Sequence, residues 1–309
     1  MRRWHVLDRI RGLDPERNHV EIYYLSCGFE FSWDTVRALE VALYRTYCVP
    51  SVSTLLAQTG EFFARPQRRY DDTALLIAEI SEWGYDSEHG REAIRRINRI
   101  HAQFDIANDD FLYVLSTFVF EPIRWNARFG WRQMCEQERV ATYCFWREVG
   151  RRMGIRDIPE TYDAFERFNR DYEARHFRFA ESNRAIGTAT RELFVSWFPR
   201  ALSPVVRIAI HAMLDEAMLD AFGFPRPPEW IRSLVAGSLR LRGRALRLLP
   251  PRRKAHFFSH DRNRSHPQGY RIDGLGPPDF LARERGAPPG GTAGCERPEN
   301  PSGARERSG

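Results

Sequence analysis

The feature that most constrains the fold of this chain is a run of ten residues, FLYVLSTFVF at 111–120, that is apolar almost all the way round. An α-helix with apolar side chains on every face has to be surrounded by protein. The run therefore predicts a buried central helix with other elements packed around it. Because Pro122 follows directly, we expect a kink or break near Glu121, although the helical pattern resumes through Ile123 and Trp125.

Helical periodicity also dominates the rest of the chain, and no stretch alternates between apolar and polar residues as a half-buried strand would. Asp71 or Asp72 can cap the helix that follows them, and Pro159 and Thr161 favour another helix start. With 309 residues, of which 42% are hydrophobic, the chain can bury a full core. The sequence thus predicts an all-α fold, a single multi-helical domain around the central helix. Its predicted helices cover residues 34–47, 71–83, 87–104, 109–129, 136–153, 161–184, 186–198, 203–222 and 228–248.

The C-terminal end differs in composition from the rest of the chain. From about residue 255 it becomes rich in glycine, proline, serine and arginine, and such a segment cannot bury enough apolar surface to offset its chain entropy. We therefore predict a helical domain over residues 1–254 and a tail over residues 255–309, disordered from about residue 281. Residues 240–309 carry 15 basic and 7 acidic side chains, whereas the whole chain has a net charge of +6. Because the excess charge is confined to this end, it argues against a nucleic-acid partner.

Cysteine usage and hydropathy indicate a cytoplasmic protein. The five cysteines form an odd set without a CxxC pair, as expected of ordinary thiols in a reducing compartment. No secretory signal is visible in MRRWHVLDRIRGLDPERNH, and no stretch reaches the roughly 18 apolar residues of a membrane span. We expect a cytoplasmic protein whose contact with membranes, where it occurs, is peripheral.

The segment SLRLRGRALRLLPPRRK at 238–254 combines seven basic side chains with interleaved leucines and has no acidic residue. Such a helix can rest on an anionic membrane with its leucines toward the lipid. It can equally dock its leucines on the protein and expose its arginines to water, which is the interpretation that we favour. If the protein contacts a membrane, this segment is where contact is predicted.

His101 lies in the segment REAIRRINRIHAQF, in which Ile94, Ile97 and Phe104 recur with it at helical spacing. The histidine therefore belongs to the apolar stripe of the helix, and a buried imidazole needs a partner for its ring nitrogens. A haem iron is one such partner. From the spacing alone, a hydrogen-bonded core histidine is favoured over a metal ligand.

Two other groups have spacings that can carry chemistry. Arg69 and Thr73 in RRYDDT are four residues apart and share a helix face, so they can hold a propionate or a bound oxygen species, or can simply belong to a capped helix start. Glu173 and His176 form the Glu-x-x-His arrangement of di-iron bundles. A di-iron site needs a second such motif, which the sequence lacks, so a solvated helix face is favoured.

The remaining motifs are weak or absent. His211 with Asp215 and Glu216 has helical ligand spacing, but a single i, i+4 pair is equally typical of a surface hydrogen bond. The sequence contains no GxSxG, no HExxH, no phosphate-binding glycine loop and no dinucleotide fingerprint. Hydrolases and nucleotide-dependent enzymes therefore have little support.

Several segments taken together resemble a known family, the MpaB-type oxygenases, whose catalytic domain is shared with the bacterial rubber oxygenase called latex clearing protein. The resemblance covers roughly residues 15–250, and HPQGYRIDGLGPP at 266–278 looks like a family tail. The segments that carry it are GFEFSWDTVRALEVALYRTYCVPSVSTLLAQTGEF, RPQRRYDDT, RINRIHAQF, NDDFLYVLSTFVFEPIRWNARFGWR, FWREVGRRMGI and FGFPRPPEWIR.

This resemblance implies a mostly helical protein with a haem b pocket between its helices, which uses dioxygen to cleave or oxygenate a carbon–carbon double bond in a hydrophobic, often isoprenoid, substrate. In the family pattern an Arg-x-x-x-Thr element precedes, by about thirty residues, a helix whose histidine is the proximal iron ligand. Arg69 and Thr73 match the first element, and His101, 28 residues after Thr73, matches the second. The resemblance therefore implies that His101 binds the haem iron and that Arg69 and Thr73 line the pocket.

The chain departs from the rubber oxygenase pattern at two positions. Asp72 stands where that pattern has a lysine able to bind iron from the distal side, and Lys254 is the only lysine of the chain. Asp105 stands where the pattern has an arginine. An aspartate in place of the lysine predicts an open or water-bound sixth position on the iron.

We therefore predict a haem-dependent oxygenase with an apolar pocket wall from Phe118, Phe120 and Trp125. Two alternatives stay open at this point. One is a non-haem iron enzyme built around Glu173 and His176. The other is a cofactor-free helical scaffold that associates with membranes.

Overall fold

The computed structural model describes residues 3–284 and residue 286. These residues form fifteen α-helices, one π-helical turn and three short 3₁₀ turns, and none of them lies in a β-strand. The prediction of an all-α fold is confirmed. One compact unit spans Met1–Leu275, and the described residues from Gly276 onward belong to a second unit.

The helices follow one another with short connections. The first seven are α1 His5–Arg11, α2 His19–Leu25, α3 Ser32–Tyr47, α4 Pro50–Gln58, α5 Glu61–Ala64, α6 Pro66–Trp83 and α7 Glu88–His101, with the π-helical turn Ser26–Glu30 between α2 and α3. The next seven are α8 Asn108–Phe129, α9 Glu136–Arg152, α10 Tyr162–His176, α11 Glu181–Ser196, α12 Ser203–Met213, α13 Glu216–Phe222 and α14 Glu229–Leu248. The 3₁₀ turns are Arg200–Leu202, Phe258–His260 and Ile272–Gly274, and α15 Pro278–Glu284 belongs to the second unit.

Helix α8 is the centre of the fold, as its all-round apolar sequence predicts. It packs against α3, α9, α10 and α14, and Leu112, Tyr113, Val119 and Phe120 on it are buried. The expected break near Pro122 is absent, because the helix continues to Phe129. Packing against α3, α9, α10 and α14 offsets the cost of the internal proline.

Some predicted helix bounds are wrong. The predicted helix 161–184 ends at His176, and its last residues belong to α11. The stretch 203–222 forms two helices and divides where the Asp215 side chain accepts a hydrogen bond from the Met218 backbone N–H (3.0 Å) to cap α13. Thr161 caps α10 as expected. Helix α6 begins at Pro66, so Asp71 and Asp72 lie inside it and do not cap it.

Residues 255–275, which the composition assigned to a tail, belong to the compact unit Met1–Leu275. Two long-range hydrogen bonds anchor them: the His256 N–H donates to the Gly28 carbonyl (2.9 Å), and the buried Arg96 donates through Nε to the Leu275 carbonyl (2.6 Å). The disorder predicted from about residue 281 concerns mainly residues 285 and 287–309, which lie outside the described residues.

The described cysteines and helices bear on the expected free thiols and on the expected lack of a membrane span. Cys27, Cys48, Cys135 and Cys144 are free thiols, and Cys295 lies outside the described part of the chain. None of the described helices has both the length and the apolar composition needed to cross a bilayer.

Candidate active site

A cleft with a cavity volume of about 120 Å³ opens between α3, α6 and α8, and we call it the central cleft. Small side chains on the facing helices, among them Ala42, Ala74 and Ala78, leave this space between helices that otherwise pack tightly. The residues that line it are Cys27, Ser32, Thr35, Val36, Leu39, Glu40, Ala42, Leu43, Thr46, Tyr70, Thr73, Ala74, Ile77, Ala78, Ser81, Val114, Thr117, Phe118, His256, Phe257 and Phe258. Most of the wall is apolar, so the central cleft suits a hydrophobic molecule.

Arg69 and Thr73 lie one turn apart on α6, as their spacing predicts. The Nη1 of Arg69 donates to the Thr73 Oγ1, and the Thr73 hydroxyl donates to the Arg69 carbonyl (3.0 Å). The guanidinium also lies 5.3 Å from the centre of the Phe62 ring. Thr73 lines the central cleft, whereas Arg69 lies one turn before it and outside the lining.

His101 is the last residue of α7, and its half-buried ring packs against Phe111 of α8 with 5.2 Å between ring centres. Its Nδ1 is buried and has no hydrogen-bond partner among the described residues. Burial, and secondarily the charge of Arg69, lowers the pKa of His101 to about 4. The imidazole is therefore neutral at physiological pH, which is the form that binds a metal.

His101 does not itself line the central cleft, but it lies near one end of it. Its neighbour Phe111 stands one turn before Val114 and two turns before Phe118 on α8, and both of these line the cleft. Arg69, whose charge acts on His101, is one turn before Thr73 on the opposite wall. The structure thus places His101 within the electrostatic influence of Arg69, one turn from Thr73, and leaves both His101 and Arg69 outside the lining of the cleft.

A buried carboxyl group in the central cleft escaped the sequence analysis. Glu40 on α3 accepts a hydrogen bond from the Tyr70 hydroxyl (2.7 Å) and pairs with the Arg37 guanidinium (2.7 Å). Burial nevertheless raises the pKa of Glu40 to about 7. The signal in the sequence was its helical spacing with Val36 and Leu43, which places a charged residue on the apolar face of α3.

One wall of the central cleft comes from residues that composition assigned to a tail. His256, Phe257 and Phe258 reach the cleft because this segment is bonded to the π-helical turn and to the start of α3. The His256 N–H donates to the Gly28 carbonyl (2.9 Å), and the Ser32 hydroxyl donates to the His256 carbonyl (2.6 Å). At Gly28 in that turn, a Cβ atom would lie 2.8 Å from the Phe257 ring, so only glycine admits this close approach. The adjacent phenylalanines within a polar, Gly/Pro-rich tail were the signal for this wall.

Asp72, at the position where the family pattern has a lysine, is not among the residues that line the central cleft. Its carboxylate pairs with His266 (Oδ1 to Nε2, 2.6 Å), and on the same stretch of α6 the Asp71 carboxylate accepts from the Ser265 hydroxyl (2.6 Å). This part of α6 therefore holds the C-terminal segment in place. Asp105, the second departure, is exposed in the loop after α7.

The Glu173 and His176 pair has other partners and does not form a metal site. Glu173 pairs with Arg45 (2.9 Å) and accepts from the Tyr113 hydroxyl (3.2 Å). The His176 ring bonds through Nδ1 to the Tyr172 carbonyl (3.0 Å) on its own helix. Within the described part of the chain, no group of three or more His, Cys, Asp or Glu side chains could hold a metal ion.

His211 and the predicted aromatic wall also differ from expectation. His211 stacks on Phe224 with 4.6 Å between ring centres, and its Nε2 faces the Arg191 guanidinium (3.1 Å), so it is a buried, packed histidine. Of the three aromatic residues predicted to form the pocket wall, only Phe118 lines the central cleft. Phe120 packs against Tyr162 and Phe165, and Trp125 donates to the Asp34 carboxylate (3.0 Å).

The fold and the cleft define an all-helical domain that can take a hydrophobic molecule, and the comparisons with known proteins place such a domain among oxygenases. Residues 36–248, more than half of the chain, match the family described as "ER-bound oxygenase mpaB/B'/Rubber oxygenase, catalytic domain". The chain belongs to this family.

Relatives of known name carry the same description. The chain is 27% identical over 245 residues to the ER-bound oxygenase mpaB' of Penicillium brevicompactum, which covers 73% of this chain and 58% of that protein. It is 28% identical over 211 residues to the ER-bound oxygenase mpaB of Penicillium roqueforti, covering 62% of this chain and 70% of the relative. The mpaB of Penicillium brevicompactum is also 28% identical, over 228 residues, covering 67% and 58%. The match thus spans less than two thirds of two of these relatives.

Proposed function

We propose that this protein is a haem-dependent oxygenase, an oxidoreductase that uses dioxygen on a hydrophobic alkene or isoprenoid-like substrate, with His101 as the ligand of the haem b iron. The observation that carries the proposal is the buried, unpartnered Nδ1 of a neutral imidazole near one end of an apolar cleft. A buried polar atom without a partner is costly, and binding of a metal-containing group would remove that cost. Membership of a family whose named relatives are oxygenases supports the reaction class.

The residues around His101 fit a haem group on its proximal side. The Arg69 guanidinium can pair with a haem propionate, and Thr73 offers a hydroxyl on the cleft side of the same helix face. When bound, haem iron supplies the activation of dioxygen, and the protein tunes it through its axial ligand and the polarity of the pocket. Asp72 is engaged with His266, so its carboxylate would not be a ligand of a bound haem.

The remaining side chains of the central cleft would bind and orient the substrate. Val36, Leu39, Ile77 and Phe118 present apolar surface that excludes water and favours a hydrocarbon chain. Glu40 is the one carboxyl group in the lining, and with a pKa of about 7 it can hold a proton at neutral pH and release it. We assign to it the transfer of a proton to or from an oxygen atom of the bound molecule.

The visible spectrum of protein purified from haem-supplemented cells tests this proposal. We expect a Soret band in the wild-type protein and in His176→Ala, whose ring bonds only within its own helix, and no Soret band in His101→Ala. Thermal unfolding followed by circular dichroism serves as the control that both variants are folded.

The same samples distinguish the alternatives. Stoichiometric iron without a Soret band would favour a non-haem iron enzyme, and well-folded protein without metal would favour a cofactor-free scaffold. A Soret band that persists in His101→Ala would exclude His101 as the ligand.

The relatives' names and the helices of this chain bear on where the protein lies in the cell. The named relatives are called ER-bound, and no described helix of this chain could span a membrane. We propose a cytoplasmic protein that contacts membranes from their surface.

A further inference from the structure

Helix α14 carries a row of large apolar side chains that face solvent. Trp230, Leu234, Leu241 and Leu248 are 67%, 64%, 65% and 88% exposed. At 3.6 residues per turn they fall within an arc of about 40° and extend over about 27 Å of the helix. Gly237 lies in the same row, and a Cβ atom added there would meet nothing within 4 Å. We call this row the α14 face.

The opposite side of α14 fixes the helix to the protein. The Arg242 guanidinium pairs with the buried Asp34 (2.9 Å) and lies 3.6 Å from the centre of the Trp33 ring. Gly243 is buried, and a Cβ atom there would lie 2.7 Å from the Phe129 carbonyl. Because the helix is held on this side, it cannot turn its exposed leucines inward. The expectation that the leucines of 238–254 dock on the protein is therefore wrong for Leu241 and Leu248.

A neighbouring helix enlarges the apolar surface. Helix α12 packs against α14, and its Val205 and Ile208 are exposed, as are Phe198 and Leu202 just before it. Single exposed apolar residues are common on soluble proteins, but a row of them on one helix beside further ones on the next is unusual. Such a surface indicates a binding site for an apolar partner.

The charges beside the α14 face indicate what it meets. Between Trp230 and His260 the chain has no acidic residue. Exposed basic side chains that have no ion-pair partner in the described part of the chain are Arg240, Arg244, Arg247, Arg252, Arg253 and Lys254. Arg240, Arg244 and Arg247 lie on one flank of the apolar row, within about 100° of it. Leucines along a helix with arginines beside them match the boundary between the acyl chains and the anionic headgroups of a membrane.

We propose that the α14 face is a docking surface for an anionic membrane, on which the leucines enter the headgroup boundary and the arginines bind lipid phosphates. Trp230 at one end of the row is the side-chain type that is enriched at this depth. Since residues 249–255 connect α14 directly to the His256–Phe258 wall of the central cleft, docking places the lipid surface next to the segment that closes the cleft. The proposal concerns binding alone and does not depend on haem at His101.

Sedimentation of the full chain with lipid vesicles tests this surface. We expect the protein to bind vesicles of phosphatidylcholine mixed with phosphatidylglycerol, to bind pure phosphatidylcholine weakly, and to be released as the salt concentration rises. The double variant Leu234→Asp/Leu241→Asp should bind roughly tenfold more weakly or worse, because two buried leucines are lost. Arg244→Glu/Arg247→Glu should lose the preference for anionic vesicles.

Trp83→Asp provides the matched control. Trp83 is also half exposed, but it lies at the end of α6, away from the α14 face. This variant should bind vesicles as the wild type does, and unchanged thermal unfolding shows that the exposed substitutions leave the fold intact. Equal binding of Leu234→Asp/Leu241→Asp and wild type would overturn the proposal. A second result would also overturn it: the wild-type chain does not bind vesicles but forms a dimer, and the double variant is monomeric. The α14 face would then bind a second copy of the chain.

Discussion

His101 and Glu40 lie in two regions around the same cleft, and the apolar surroundings shift their pKa values in opposite directions. Burial lowers the pKa of His101 to about 4 and raises the pKa of Glu40 to about 7. In both cases the neutral form is favoured, because each group loses the water that would solvate its charge. The same environment thus prepares a neutral imidazole, which can bind a metal, and a neutral carboxyl, which can donate a proton.

The two groups differ in how the protein compensates for their burial. Glu40 has Tyr70 and Arg37 as hydrogen-bonding and charged partners. The His101 ring packs against Phe111, and its Nδ1 has no hydrogen-bond partner in the described part of the chain. The burial of Glu40 is therefore compensated within the folded chain, whereas none of the described residues compensates the burial of the His101 Nδ1.

The largest effect is expected from Glu40→Gln, measured as the free energy of unfolding in urea across a pH series. Below pH 4.5 the Glu40 carboxyl is protonated in both the folded and the unfolded wild-type chain, and between pH 4.5 and about 7 only the unfolded chain releases the proton. Wild-type stability is therefore lost as pH rises through this window. The free energy of unfolding of the variant minus that of the wild type should therefore increase by up to about 3 kcal/mol from acid to above neutral pH. A difference that does not change with pH would contradict the raised pKa.

A smaller effect is expected from Tyr70→Phe, which removes the hydroxyl that donates to Glu40. This hydrogen bond favours the ionised carboxylate, so its loss should raise the pKa of Glu40 further. The ionised form should lose stabilisation on the order of 1 kcal/mol. The infrared carbonyl band of the protonated carboxyl reports the titration directly. Glu40→Gln identifies the band, and a midpoint that moves toward acid in Tyr70→Phe would show that the hydroxyl favours the protonated form.

The smallest effect is expected from His101→Gln, because the ring is only half-buried. The folded wild-type chain resists protonation of His101 between pH 6.5 and about 4, while the unfolded chain takes up the proton. Wild-type stability is therefore lost as pH falls through this window, and the variant should lose less. His211, whose pKa burial also lowers to about 4, should keep its own part of the slope in His101→Gln. If the wild type and the variant show the same acid slope, His101 is not held neutral by the fold.

The sequence predicted the parts of the molecule that depend on local pattern. The all-round apolar run predicted α8, and helical spacing placed His101 on an apolar stripe and Arg69 beside Thr73. The resemblance then connected these three residues across about thirty positions. Their assignment as haem-binding residues stays a prediction.

The parts that depend on distant contacts could not be predicted in this way. Asp72 was recognised as a departure, but its partner His266 lies 194 residues further along the chain. Glu40 was overlooked because a glutamate in a helix is normally solvated, and only the packing of α3 shows that it is buried. The wall at 256–258 was assigned to a tail because composition does not show where a segment is anchored.

The contact between Gly28 and Phe257 links two positions that are far apart in the sequence. Since a Cβ atom at position 28 would meet the aromatic ring at 2.8 Å, a larger residue there requires a smaller one at 257 or a shifted cleft wall. The shape of the central cleft is therefore encoded jointly by both ends of the compact unit. A substitution at one of these positions therefore restricts which residues the other can accept. A change at Gly28 can alter the substrate preference although Gly28 does not line the cleft.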